Sequence, residues 1–67
     1  MPAPIVVHPP SPSGGRRVTA NGRILGLAHG LQDLAEFLRR LGLDTDNLRF
    51  DDPELIEWRR GGPDVWH

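Results

Sequence analysis

Two hydrophobic periods meet in the middle of this chain. Arg16-Arg17-Val18-Thr19-Ala20 and Arg23-Ile24-Leu25-Gly26-Leu27-Ala28 flank Asn21-Gly22. Asn-Gly between β-formers predicts a two-residue hairpin, because a type I′ turn requires positive φ at both central positions. Such a loop would set Ala20 opposite Arg23, Thr19 opposite Ile24 and Val18 opposite Leu25. One side of the ribbon, the expected core side, then carries Val18, Ala20, Leu25 and Leu27. The other carries Arg17, Thr19, Ile24, Gly26 and Ala28. From residue 31 the period lengthens. Leu31, Leu34, Leu38 and Leu41 fall at i, i+3, i+7 and i+10, with Ala35 and Phe37 beside them, and predict an amphipathic helix over 31–41. Asp33 and Glu36 precede Arg39 and Arg40, as the helix dipole favours. Gly42-Leu43 predicts a Schellman stop with Leu43 folded back on Leu38.

Outside this unit the pattern is weaker. Residues 1–15 hold Pro2, Pro4, Pro9, Pro10 and Pro12, then Ser13-Gly14-Gly15, and are expected to form a flexible arm. Within the arm, Ile5-Val6-Val7 is a β-branched run suited to docking on a sheet edge, its own or a neighbour's. Leu48-Arg49-Phe50 alternates as a candidate third strand. Asp52 and Pro53 suit the N-cap and N1 positions of a short C-terminal helix through Arg60, with a strand carrying Ile56 and Trp58 on one side as the alternative. Gly61-Gly62-Pro63 ends the segment. The expected organisation is an arm (1–15), a ββα core (16–60) and a C-terminal tail (61–67), an α+β single domain with a β-hairpin packed on one amphipathic helix.

Composition narrows the function classes. No cysteine is present among the 67 residues, so disulfides and thiolate metal sites are excluded as staples of a chain close to the lower size limit for an unassisted core. Association is the remaining route, which predicts a homo-oligomer or a protein partner. No apolar run reaches the roughly 20 residues that span a bilayer, and the first residues lack the pattern of a secretory signal, so a cytoplasmic setting without membrane contact is expected. The eight basic residues are all arginine, and lysine and tyrosine are absent. Net charge is −1, unevenly spread. Residues 1–30 carry Arg16, Arg17 and Arg23 and no acid, while residues 31–67 carry five arginines against nine acids.

Chemistry-bearing constellations are sparse. His8, His29 and His67 do not share a metal-ligand spacing. Asp51, Asp52, Glu54 and Glu57 cluster but read as caps and a solvated face. The Gly-Gly pairs lack the Lys-Ser/Thr of a phosphate loop. No catalytic residue, cofactor or metal is therefore assigned, and a non-enzymatic interaction module is expected. Its candidate partner-binding residues are Trp58, Trp66, Ile24, Ile5, Val6 and Val7, since tryptophan is enriched at hot spots and the apolar strand residues suit an edge. The plain reading of Trp58 is a core residue over the helix; Trp66 either clamps back on its own hairpin or inserts into a partner. The alternative function is a small nucleic-acid-binding regulator that uses Arg16, Arg17 and Arg23 on the hairpin.

The stretch Asn21-Gly22-Arg23-Ile24-Leu25-Gly26, followed by Asp33–Arg40, Leu55-Ile56-Glu57-Trp58 and Gly61-Gly62-Pro63-Asp64-Val65-Trp66, resembles short proteins of actinomycete, high-GC type. No established activity goes with that resemblance, and it implies origin and class only.

Overall fold

The computed structural model describes residues 3–66; Met1, Pro2 and the terminal histidine, His67, lie outside the described residues. Five elements follow one another: β1 (Ile5–Pro10), β2 (Arg16–Ala20), β3 (Arg23–Ala28), α1 (Leu31–Arg40) and β4 (Ile56–Trp58). They form an α+β domain, a four-stranded mixed sheet in the order β3-β2-β1-β4 with one helix.

The Asn21-Gly22 turn forms as its sequence requires, with φ of 52° and 86°. Ala20 pairs with Arg23 and Thr19 with Ile24, after which the register slips, so that Val18 faces Gly26, Arg17 faces Leu27 and Arg16 faces Ala28. This β-bulge at Leu25–Gly26 corrects the expected facing of β3. Ala28 turns into the core and Leu27 turns out of it. The cause is Phe37 of the helix. A Cβ on Gly26 would lie 2.9 Å from its Cζ, and the backbone holds φ at 152°, so a glycine in a bulge lets the ring settle on the strand.

The proline-bearing segment expected to be an arm is instead a central strand. Ile5, Val6 and Val7 pair antiparallel with Ala20, Thr19 and Val18, and parallel with Ile56, Glu57 and Trp58. Burial of two β-branched side chains between two neighbours outweighs the flexibility that composition suggests. The ladder becomes irregular only between Val7 and Pro10, where Pro9 and Pro10 have no N–H to donate.

The C-terminal segment is also a strand rather than a helix. Asp52 makes a single turn, accepting from the N–H groups of Leu55 and Ile56 through its carbonyl and from Glu54 through its side chain, and β4 then pairs with β1. Leu48–Phe50 forms no strand; Leu48 and Phe50 pack against the core from a loop. The helix ends as expected, with Gly42 N–H donating to Arg39 O and Leu43 N–H to Leu38 O.

The core lies between sheet and helix and contains Ile5, Val7, Val18, Ala20, Ala28, Leu34, Leu38 and Ile56. The helix packs over β3. Among the described residues no layer covers the opposite, outer face of the sheet. No helix among the described residues is long and apolar enough to cross a membrane.

Candidate functional site

Alternation along β2 puts Arg16 on the same face as Val18 and Ala20, and its residue accessibility is 0%. Its guanidinium is enclosed by carbonyl oxygens. Nε donates to His8 O at 2.9 Å; Nη1 donates to Gly61 O, Gly62 O and Val65 O at 3.1, 3.1 and 2.8 Å; Nη2 donates to Arg59 O at 2.6 Å and reaches Val7 O at 3.5 Å. The carbon at the centre of the guanidinium lies 5.3 Å from the ring centroid of Trp58 and 6.0 Å from that of Trp66. Those two rings meet edge to face at 5.8 Å. Burial lowers the pKa of Arg16, but a guanidinium starts so high that it stays charged at neutral pH. None of its six acceptors is a carboxylate. Carbonyl dipoles, with two indole faces, stand in for a counter-ion.

This cage overturns several expectations. Every N–H of Arg16 is spent on main-chain acceptors, so it has none for a phosphate. Trp58 and Trp66 both turn inward. The Trp58 Nε1–H donates to Phe50 O at 2.7 Å and the Trp66 Nε1–H to Pro63 O at 2.8 Å, while Trp66 O accepts from Gly15 N–H at 3.0 Å. Trp58 packs half-buried against the core. Trp66 clamps back on its own domain through the turn before β2, and both indoles are half-buried with their N–H groups bonded to main-chain carbonyls. Ile5 and Val7 are likewise withdrawn, as buried members of the central strand.

The remaining candidates separate by face. Arg17 pairs with Leu27 on the outer face, whereas Arg23 shares the helix side with Ala20. Arg16, Arg17 and Arg23 therefore form no common basic patch. The outer face carries Val6 and His8 on β1, Arg17 and Thr19 on β2, Ile24 and Leu27 on β3, and Glu57 on β4. His8 Nε2 lies 3.1 Å from Thr19 Oγ1, and Arg59 donates to Glu57. The pKa of His8 is lowered, first by burial and then by the positive charges of Arg59 and Arg17. Val6 is half-buried among these polar groups. Ile24, at 66% exposure, and Leu27, at 44%, are not covered. The other large exposed apolar side chains among the described residues, Leu31 and Leu41, stand at the two ends of the helix over the same strand. Beside the helix C-terminus an open apolar groove of about 490 Å³ runs between Leu25, Leu41, Leu43 and Leu55, with Arg23 at its rim.

The acidic cluster disperses into local roles. Asp51 accepts from Arg49 at 3.3 Å through both oxygens, and that pairing lowers its pKa. Asp52 holds the turn, and Glu57 pairs with Arg59. His29 Nδ1 stands 3.9 Å from Asp33 Oδ2 at the start of the helix. Among the described residues no three such groups converge as metal ligands would.

Sequence reasoning missed Arg16 as a core residue, although the alternation Arg16-Val18-Ala20 already placed it on the buried face. The exposure of Leu27 had no such signal, because it follows from the bulge. Comparison with known proteins finds no match, whether to a family model, a curated protein or a solved structure, so the case for function rests on these surfaces alone.

Proposed function

We propose that this chain is a non-enzymatic protein–protein interaction module whose contact surface is the edge strand β3 with the uncovered sheet face beside it. One observation carries the reading: Ile24 and Leu27, both large and apolar, stand exposed on the same face of an edge strand. The core, by contrast, encloses its own apolar residues, cages its buried charge and leaves no buried side-chain polar atom without a partner among the described residues. The uncovered apolar surface is therefore concentrated where a strand edge is also open, and that combination invites another polypeptide.

The test is photo-crosslinking in cells with benzoylphenylalanine at position 24, and at position 54, exposed just before β4 at the opposite edge of the sheet, as control. A discrete protein adduct, with another protein or with the chain itself, is expected from position 24 and not from position 54. No adduct at 24, or the same adducts at both positions, removes the reading.

A further inference from the structure

We infer that the polypeptide covering this surface is a second copy of the chain, joined edge to edge along β3 about a two-fold axis; the inference rests on the interaction-module reading and names its partner. A strand that meets itself about a two-fold axis is necessarily antiparallel to its mate, and the interface is the same patch on both copies. Of the two sheet edges, β4 has three residues and is flanked by the loop that accepts the Trp58 indole N–H, whereas β3 offers six. Strand β3 contains no proline, and its single charge, Arg23, lies at the turn end; of the usual devices that blunt an edge it carries the bulge at Leu25–Gly26, with neither proline nor charge along the rest of its length.

The apolar pattern of β3 is self-complementary in one register. Centred between Leu25 and Gly26, antiparallel pairing sets Ile24 opposite the second copy's Leu27, and Arg23 opposite its Ala28. Ile24 and Leu27 are three positions apart and would point to opposite faces of a regular strand. The bulge brings both to the outer face, so each Ile24 would pack against the second copy's Leu27, and the four apolar side chains would cover one another across the axis. The same bulge occurs in each copy, so the extra residue of one strand has its counterpart in the other.

Charge along the helix favours the same arrangement. Helix α1 lies over β3 and is joined to it by His29 and Gly30 alone, so it runs back along the strand. Asp33 and Glu36 occupy its N-terminal part, Arg39 and Arg40 its last turn. Two such helices set antiparallel across the axis bring each acidic half to the other's basic half, and Leu31 toward the second copy's Leu41. The opposed helix dipoles add to the attraction.

The native chain has no cysteine, which permits a clean test of association and register. Sedimentation of the full chain from low to high micromolar concentration is expected to show a monomer–dimer equilibrium, abolished by Ile24→Glu with unchanged circular dichroism. Ile24→Cys and Leu27→Cys are then prepared separately, mixed and oxidised. Facing antiparallel positions lie about 5.5 Å apart at Cα, within disulfide reach, whereas like positions in this register are offset by three residues, about 10 Å, and are not. The mixture is expected to form covalent dimer at least about tenfold faster than either variant alone, through the raised effective concentration of facing thiols. A monomer at every concentration overturns the inference, and so does equal cross-linking in the separate variants. A monomer whose position-24 probe captures a different protein overturns the second copy and leaves the module reading standing. A monomer with no adduct removes both.

Discussion

Removing a guanidinium from water costs several kcal/mol, and Arg16 recovers it without a carboxylate. Five N–H donors in a rigid plane meet six carbonyl oxygens supplied by β1, the end of β4 and the C-terminal loop. Arg16→Met keeps much of the volume and removes every donor, leaving those carbonyls unpaired in the interior. The expected loss is about 3–5 kcal/mol, a large share of the roughly 3–10 kcal/mol that a chain of this length holds. Urea unfolding measures it, and near-ultraviolet circular dichroism reports the Trp58–Trp66 pair. Arg16→Lys should recover little, because an ammonium has three donors and no planar fork. Equal stability of Arg16→Lys and the native chain would contradict the cage. His8 gives a second prediction at this scale. Its pKa in the folded state lies below the ordinary 6.5, through burial and the charges of Arg59 and Arg17. The unfolded chain therefore binds the proton more readily, and stability is full above about pH 6.5 and falls as pH drops through that value toward the lower folded pKa. His8→Gln should flatten that slope in unfolding midpoints taken between pH 7 and 5. An unchanged slope would mean that another group carries it.

Gly26 governs the facing of β3 at the scale of elements. Its φ of 152° and the contact between its Cα side and Phe37 are two faces of one fit. Gly26→Ala should cost about 1–3 kcal/mol from the clash, with a further contribution from the strained φ. Phe37→Leu, which removes the distal ring atoms, should recover part of the loss in a double-mutant cycle. Additive losses would place the bulge elsewhere. The elements differ in how far their own residues announced them, and the difference is one of range. The hairpin turn and the helix, with its Schellman stop, depend on neighbours within a few residues, and the Asn21-Gly22 pair, the leucine spacing and Gly42-Leu43 state them directly. The bulge depends on an aromatic ring eleven positions away. Strand β4 depends on Ile5 and Val7, some fifty positions away, and pairing with them outweighs the helix-start signal of Asp52-Pro53, which is spent on one turn. The candidate surface inherits that division: the hairpin register alone puts Ile24 on the outer side of the ribbon with Arg17 and Thr19, while Leu27 joins it only through the bulge.

For the molecule as a whole, the segment after β4 is the part whose role is least apparent from composition. Gly61, Gly62 and Pro63 look like a break before a tail, yet two of them and Val65 give Arg16 three of its six acceptors, and Trp66 closes over it and holds Gly15. The segment is a strap that turns a sheet with a charged hole into a closed core. Strap and cage are then one interaction seen from two ends, which makes a definite prediction about energy. Removing residues 61–67 takes away three of the six carbonyls and one indole, so Arg16 faces water on one side. Stability should fall by an amount comparable to that of Arg16→Met, about 3–5 kcal/mol, because each change disables the same contact. Combining the two should cost far less than their sum, since once the donors are gone the strap has little left to hold, and once the strap is gone the donors can turn to water. Urea unfolding of the native chain, both single variants and the combination closes the cycle. Additive losses would show that the tail and the arginine stabilise the domain independently, and the strap would be mere covering. A large coupling term, together with loss of the indole pair's circular dichroism in Arg16→Met, would establish that the domain is locked from its C-terminal side by one buried charge.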